Sequence, residues 1–268
     1  MNLRTAGQRA RLVALAAIAA LLPQLSNATI VEFRTNMGDI QVNLYDNATP
    51  ETVANFLNYV NNGHYTNTIF HRSVTDFVIQ GGGFVYNNVL PLDEVVDPDL
   101  GPPFPSPINE PEFANLRGTI AMAKLGGDPN SASSQWFFSL ADNTAILDAQ
   151  NGGFTVFGEV VDPTMDVVDA IASLPIFNFG GATAETPLQN FTQQDFDAGT
   201  LPDGTQLIVI SEIVVIDSTV DSAAGLNPPA NTGGLVTPPP ATSGGGGGGS
   251  FGFIGLFALL LVRRFRNA

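Results

Sequence analysis

The sequence predicts a mainly β protein, an antiparallel barrel of short strands whose open ends are plugged by two helices. Apolar and polar residues alternate along 29–35 and again along 39–45. Asn36-Met37-Gly38-Asp39 between them is a turn signal, so the pair reads as a hairpin. Two later stretches carry the three-and-four spacing of an amphipathic helix, and the remaining apolar residues come in short runs bounded by Gly, Asn and Pro.

Taken in order, Thr49-Pro50-Glu51-Thr52 opens the first helix. Thr49 is the N-cap, Pro50 takes the first position where its missing N–H costs nothing, and Glu51 meets the positive end of the dipole. Val53, Phe56, Leu57 and Val60 share one face, and Asn61-Asn62-Gly63 stops the helix. Residues 69–72 and 77–81 read as short strands. Residues 85–116 hold seven prolines and read as a long irregular segment, a length that marks an insertion or a functional loop. Three strands follow at 118–123, 135–140 and 154–161. Asp162-Pro163 opens the second helix, with Met165, Val168, Ile171 and Ala172 on its apolar face. A further loop over 175–205 leads to the last strand at 207–216.

Both ends read as processing segments. Residues 1–28 combine Arg4, Arg9 and Arg11 with an apolar run over 12–22 and close on Ser26-Asn27-Ala28, the pattern of a secretory signal peptide. The alternative is an uncleaved anchoring helix, although the run is short of the roughly 20 residues a span needs. Residues 223–250 form a Pro/Gly/Ser/Thr linker containing Pro238-Pro239-Pro240 and a glycine run at 244–249, a composition that makes a flexible tether. Residues 251–268 place a mostly apolar stretch before Arg263-Arg264-Phe265-Arg266. As a helix, 251–262 is about 18 Å long against a hydrocarbon core of about 30 Å. This end resembles the Gly-Gly type C-terminal sorting signals of Gram-negative bacteria, temporary anchors cut by a rhomboid-like protease; a permanent short anchor is the alternative. The expectation is an exported protein of the periplasm or cell surface, attached to membrane through 251–262, with one folded domain over 29–222.

Six of the ten cations lie in those ends, so the body keeps four against 25 acids, a net charge of −21. Such a surface repels phosphate backbones and anionic lipid, which excludes nucleic acid as a partner. Zero cysteines remove disulfide and thiol chemistry, and two histidines do not make a zinc set. Asp93-Glu94 and Asp97 lack the spacing of a calcium loop. There is no Gly-x-Ser-x-Gly elbow and no Gly-x-x-x-x-Gly-Lys loop, so hydrolase and nucleotide-binding readings lose support.

Against that charge balance one run stands out. Ile69-Phe70-His71-Arg72 followed by Phe77-Val78-Ile79-Gln80-Gly81-Gly82-Gly83-Phe84 puts a rare cation among apolar residues and then lets the backbone turn or approach something closely. Other motifs keep a fixed order with it: Thr49-Pro50-Glu51-Thr52-Val53-Ala54-Asn55-Phe56 before, then Gly118-Thr119-Ile120-Ala121-Met122-Ala123, Ser134-Gln135-Trp136-Phe137-Phe138, Leu147-Asp148, and Phe154-Thr155-Val156-Phe157-Gly158-Glu159-Val160 after. From about residue 30 to 217 the chain resembles the cyclophilins, the peptidyl-prolyl cis-trans isomerases. The resemblance implies a closed, eight-stranded antiparallel barrel capped by two helices. It also implies isomerase activity without cofactor or metal, proline-containing polypeptides as partners, and a monomer. Arg72 becomes the catalytic arginine with Gln80 beside it. Phe77, Val78, Met122, Phe137 and Leu147 line the proline pocket, and Ala123, Gln135 and Phe154 are further substrate-binding positions. The chain departs from the family at Val78, usually methionine, at Ala123-Lys124-Leu125 in place of Ala-Asn-Ala, and at Ile146, where a tryptophan favours cyclosporin binding. Phe154 stands where many eukaryotic members carry histidine.

The chemistry suits these residue types. An Xaa-Pro bond rotates slowly because its amide has partial double-bond character. Twisting it frees a lone pair on nitrogen, so a catalyst needs a dry apolar slot for the ring and a fixed donor for the twisted state. Arginine, permanently charged and planar, is such a donor. Two other classes stay open: a cyclophilin-fold module that binds prolyl peptides with little turnover, and a structural surface protein in which Arg72 only pairs an acid. His71 alternates away from Arg72 and reads as structural.

Overall fold

The structure, a computed structural model, describes residues 29–88, 92–96, 101–218 and 226–233. The expected signal peptide (1–28), most of the linker and the C-terminal segment (251–268) lie outside the described residues. Strands β1 (Ile30–Thr35) and β2 (Gly38–Leu44) form the expected hairpin, with Thr35 opposite Gly38. Helix α1 (Pro50–Asn61) follows, then β3 (Thr68–Ile69), β4 (Arg72–Val74), β5 (Val78–Gly81), β6 (Phe84–Val85) and β7 (Asp93–Glu94). After the long loop come β8 (Thr119–Met122), β9 (Trp136–Ser139), a single turn α2 (Thr144–Leu147), β10 (Val156–Val160) and α3 (Met165–Ala172). β11 (Ile176–Phe177), β12 (Thr186–Pro187), α4 (Gln193–Asp197) and β13 (Val209–Asp217) complete the chain.

Eleven of these strands make one sheet, in the order β4-β5-β9-β8-β10-β2-β1-β13-β3-β6-β7. That is an open series of eleven, not the expected closed ring of eight. The extra strands have a local cause: the strand expected at 69–72 is broken at Phe70-His71 into β3 and β4, while β6, beyond Gly82-Gly83, and β7 at an edge are strands that were not expected. β3 and β4 are far apart in the sheet order yet separated by two residues in the chain, a link of about 11 Å at most. The sheet must therefore curl back toward its own first strand. Gly82 makes the bend possible: its φ is +74°, and a Cβ there would sit 2.6 Å from the Ser134 carbonyl oxygen and 2.6 Å from Trp136 Nε1.

Inside the curl the core is aromatic. Phe33, Phe56, Tyr59, Phe70, Trp136, Phe138 and Phe157 are fully buried, and Phe33 meets the Trp136 ring edge-on at 5.0 Å. α1 plugs one side, burying Val53, Phe56, Tyr59 and Val60, with Leu57 only partly covered. Its N-terminus is capped differently from expectation. Thr49 makes no side-chain cap; its Oγ1 donates instead to the Tyr45 carbonyl at 3.3 Å. The amides of Glu51 and Thr52 donate to the carboxylate of Glu110, at 3.2 and 2.9 Å, which places a negative group on the positive end of the helix. α3 begins at Met165, after Asp162-Pro163, because Thr164 first closes a turn on the Val161 carbonyl at 2.9 Å.

Two segments read as featureless have structure. Within 175–205, β11 pairs with β12, and Thr192 and Asp195 form a reciprocal capping box on α4. Phe177, Leu188 and Phe191, with Phe179 and Phe196, form a small core of their own against Ile69 and Phe84. The start of the linker is likewise pinned. Ala114 N–H donates to the Pro229 carbonyl at 2.9 Å, Asn231 N–H to the Glu112 carbonyl at 2.9 Å, and Leu226 packs against a buried apolar cluster. Residues 226–233 are thus a strap on the domain, not free tether.

Replacing Glu110 by alanine strips α1 of two capping bonds and is expected to lower stability by about 1 kcal/mol, read as a lower denaturant midpoint at unchanged slope. Gly82→Ala is expected to cost more, at least about 2 kcal/mol, because left-handed strain adds to the clash with the Ser134 carbonyl.

Candidate active site

Register builds the site. Arg72 on β4 faces Gln80 on β5, Gln80 faces Phe137 on β9, Phe137 faces Ala121 on β8, and Ala121 faces Val156 on β10. Strands are about 4.8 Å apart, so Arg72 and Phe137 stand roughly 10 Å apart across the sheet. Side chains alternate, so the next row, Ile79, Phe138 and Ile120, points to the aromatic core. Arg72, Gln80 and Phe137 consequently share the opposite face. Phe77 enters this face from the turn before β5, its carbonyl held by the Leu140 amide at 2.8 Å and by Asn143 Nδ2 at 2.9 Å.

On that face the expected residues fall into two groups. Val78, Phe137, Leu147 and Phe154 form one apolar cluster with Ala121, Ala123 and Val156, and Phe77 packs at its margin. They are packed tightly: Val78, Phe137 and Leu147 are 0 % exposed and Phe154 is 1 % exposed. Arg72, Gln80, Gln135 and Ala123 instead line a cavity of about 530 Å³. Gln80 Nε2 donates to Gln135 Oε1 at 2.7 Å, tying the two cavity glutamines together. Ala123 belongs to both groups and joins them. Met122 belongs to neither. It is fully buried in the aromatic core, because the residue between Ala121 and Ala123 must face the other side of β8.

Arg72 is largely covered, its side chain 16 % exposed, and Nε donates to Glu185 Oε2 at 2.7 Å. Its Nη1 is buried without an acceptor among the described residues. Glu185, on the segment between β11 and β12, was not among the residues singled out from sequence.

Comparison with known proteins decides the family. Residues 30–193 match the family described as Cyclophilin type peptidyl-prolyl cis-trans isomerase/CLD. A peptidyl-prolyl cis-trans isomerase from Acinetobacter baylyi is 40 % identical over 158 residues, 57 % of this chain and 76 % of that protein. Peptidyl-prolyl cis-trans isomerase B of Escherichia coli is 42 % identical over 146 residues, 53 % of this chain and 83 % of that protein. A crystal structure of a cyclophilin type isomerase from Cryptosporidium parvum aligns with 71 % of this chain and 98 % of its own at 24 % identity and a TM-score of 0.47. The chain belongs to the cyclophilin-type peptidyl-prolyl cis-trans isomerases.

This cyclophilin carries two buried basic groups around its site. Lys124 directs its ammonium inward, donating to Gly153 O at 2.6 Å, Asn151 O at 3.0 Å and Asn109 Oδ1 at 3.1 Å, with the Phe154 ring centroid 4.7 Å away. It thereby pins the loop that leads into Phe154, and burial pushes its pKa down to about 8. His71 is 2 % exposed and packs edge-on to Phe84 at 4.9 Å, while its carbonyl accepts from Thr186 Oγ1 at 3.0 Å. Burial, and secondarily the charge of Arg72, push its imidazole down to about 3.

An imidazole that stays neutral in the fold but protonates near 6.5 when unfolded lets the unfolded chain take up the extra proton between those values. His71 stabilisation is complete above pH 6.5 and is lost as pH falls toward 3. Between pH 6.5 and 5, above the ordinary carboxylate range, the cyclophilin is expected to lose up to about 1.4 kcal/mol per pH unit. His71→Gln is expected to flatten that slope in denaturant titrations at several pH values.

Proposed function

We propose that the enzyme accelerates rotation about Xaa-Pro bonds with Arg72 as the donor to the twisted amide, in the service of folding exported proteins. The observation that carries this reading is the cross-strand row, which sets Arg72 and Gln80 on the wall of a cavity and Phe137 next in line. The barrier to rotation is about 20 kcal/mol and comes from amide resonance, so anything that favours the twisted state lowers it. Arg72 is largely shielded from water, where a charged donor is worth more than in bulk solvent. Gln80, braced by Gln135, can hold the peptide backbone beside it, and Ala123 leads from the cavity to the apolar group of Phe77, Val78, Phe137, Leu147 and Phe154.

No step asks for a metal, a nucleophile or a cofactor: bond rotation moves no atoms between molecules. Export is supported by the signal-peptide pattern of residues 1–28 and by the sorting-signal pattern of 251–268. The acidic body favours solubility outside the cell and disfavours anionic surfaces.

The test is cis-trans exchange of an Ala-Pro peptide followed by NMR, with the purified chain and its Arg72→Ala variant. Wild-type exchange is expected to fall about a hundredfold or more in the variant, the scale of removing one preorganised donor. Undiminished exchange in the variant would remove Arg72 from the mechanism. Peptide binding without accelerated exchange in the wild type would leave a recognition module.

A further inference from the structure

Arginine side chains are long and flexible, and this body surrounds its four cations with 25 acids. Two acids besides Glu185, Glu94 and Asp128, line the same cavity as Arg72. A donor that must hold one direction needs a partner that fixes it. Glu185 is built to be that partner. Its backbone is held independently of its side chain: Ser73 N–H donates to the Glu185 carbonyl at 2.7 Å, and the next residue, Thr186, donates through Oγ1 to the His71 carbonyl at 3.0 Å. Residues 71 to 73 of the catalytic strand are thus stitched on both sides of Arg72. The segment's other face is tied down by the pairing of Phe177 with Thr186 and of Ile176 with Pro187.

From this frame the carboxylate reaches Arg72 Nε at 2.7 Å. The Nε–H lies in the guanidinium plane, so one bond there sets the orientation of the whole fork. It also leaves both terminal amines uncommitted to Glu185. The pair is partly solvated, with Glu185 42 % exposed, so it contributes little to stability. Its consequence is direction.

We infer that Glu185 is the positioning residue of Arg72. This rests on Arg72 being the catalytic donor. A residue that only orients that donor affects turnover more than peptide affinity, since a small misplacement of a transition-state group is costly in rate.

The experiment measures kcat and KM for an Ala-Pro peptide by NMR exchange in wild type, Glu185→Ala, Glu185→Gln and Arg72→Ala, with Tm for each. Glu185→Ala is expected to lower kcat about tenfold with KM within about twofold and Tm nearly unchanged. Glu185→Gln keeps an acceptor oxygen at the same reach and is expected to restore most of kcat. Loss of kcat in Arg72→Ala with wild-type kcat in Glu185→Ala overturns the inference and leaves the role of Arg72 standing. Equal losses in both Glu185 variants that track a fall in Tm overturn it too, by assigning Glu185 to the fold. Undiminished turnover in Arg72→Ala removes the premise and the inference with it.

Discussion

The two-residue alternation of five neighbouring strands is the constraint on which the rest of this protein depends. Each of β4, β5, β9, β8 and β10 has two faces, and the pairing register lines like faces up. One row sends Ile79, Phe138 and Ile120 into the aromatic core; the adjacent row sends Gln80, Phe137 and Ala121 the other way. A slip by one residue in any of these pairs would exchange the rows. The inner row makes the slip costly, because each large apolar side chain it would expose gives up roughly 2 kcal/mol of burial. The site therefore inherits its geometry from the core behind it. Trp136 strengthens the lock: its indole lies so close to Gly81 that a Cβ there would approach to 2.6 Å, so the hairpin seats in one position.

Cation scarcity shapes the surface in the same spirit. All four cations of the body have defined partners. Arg34 bridges Glu32 and Glu212 across β1 and its neighbours, Arg117 pairs with Asp169, Arg72 with Glu185, and Lys124 sits among three oxygens. The pairs made by Arg34 and Arg117 are the more solvated ones and are weak individually. Arg72 and Lys124 are the two cations drawn out of water, and both line the same cavity. In a highly acidic body, the two sheltered cations thus lie at one place.

Much of this was legible in the sequence because it is local. The hairpin, α1, α3 and the strands at 119–122, 136–139, 156–160 and 209–217 follow from alternation, spacing and turn residues, whereas the short helices α2 and α4 were not expected. That Arg72, Gln80 and Phe137 fall on paired strands follows from the order of the motifs along the chain. What escaped has a physical pattern. Glu110 caps α1 from 58 residues away and Glu185 reaches Arg72 from 113 residues away, and no local periodicity carries such contacts. The structure in 175–205 was hidden by its irregular spacing, although Phe177, Phe179, Phe191 and Phe196 already signalled something to bury. Met122 is different, since alternation alone excludes it from a face that holds Ala123. Family likeness put it in the pocket where parity forbids it.

The segment that supplies Glu185 shows how structure and chemistry come to share one device. β4 is the first strand of the sheet, and an exposed edge invites pairing with other chains. Residues 185 and 186 cover it, taking the Ser73 amide and the His71 carbonyl. Covering the edge accounts for the backbone bonds, and those bonds do not depend on the side chain at 185. A carboxylate at that position is therefore not explained by edge protection. It is explained by what lies under it: once the strand beside Arg72 is covered, its guanidinium lies within reach of the cover, and a glutamate there converts a structural lid into an orienting contact.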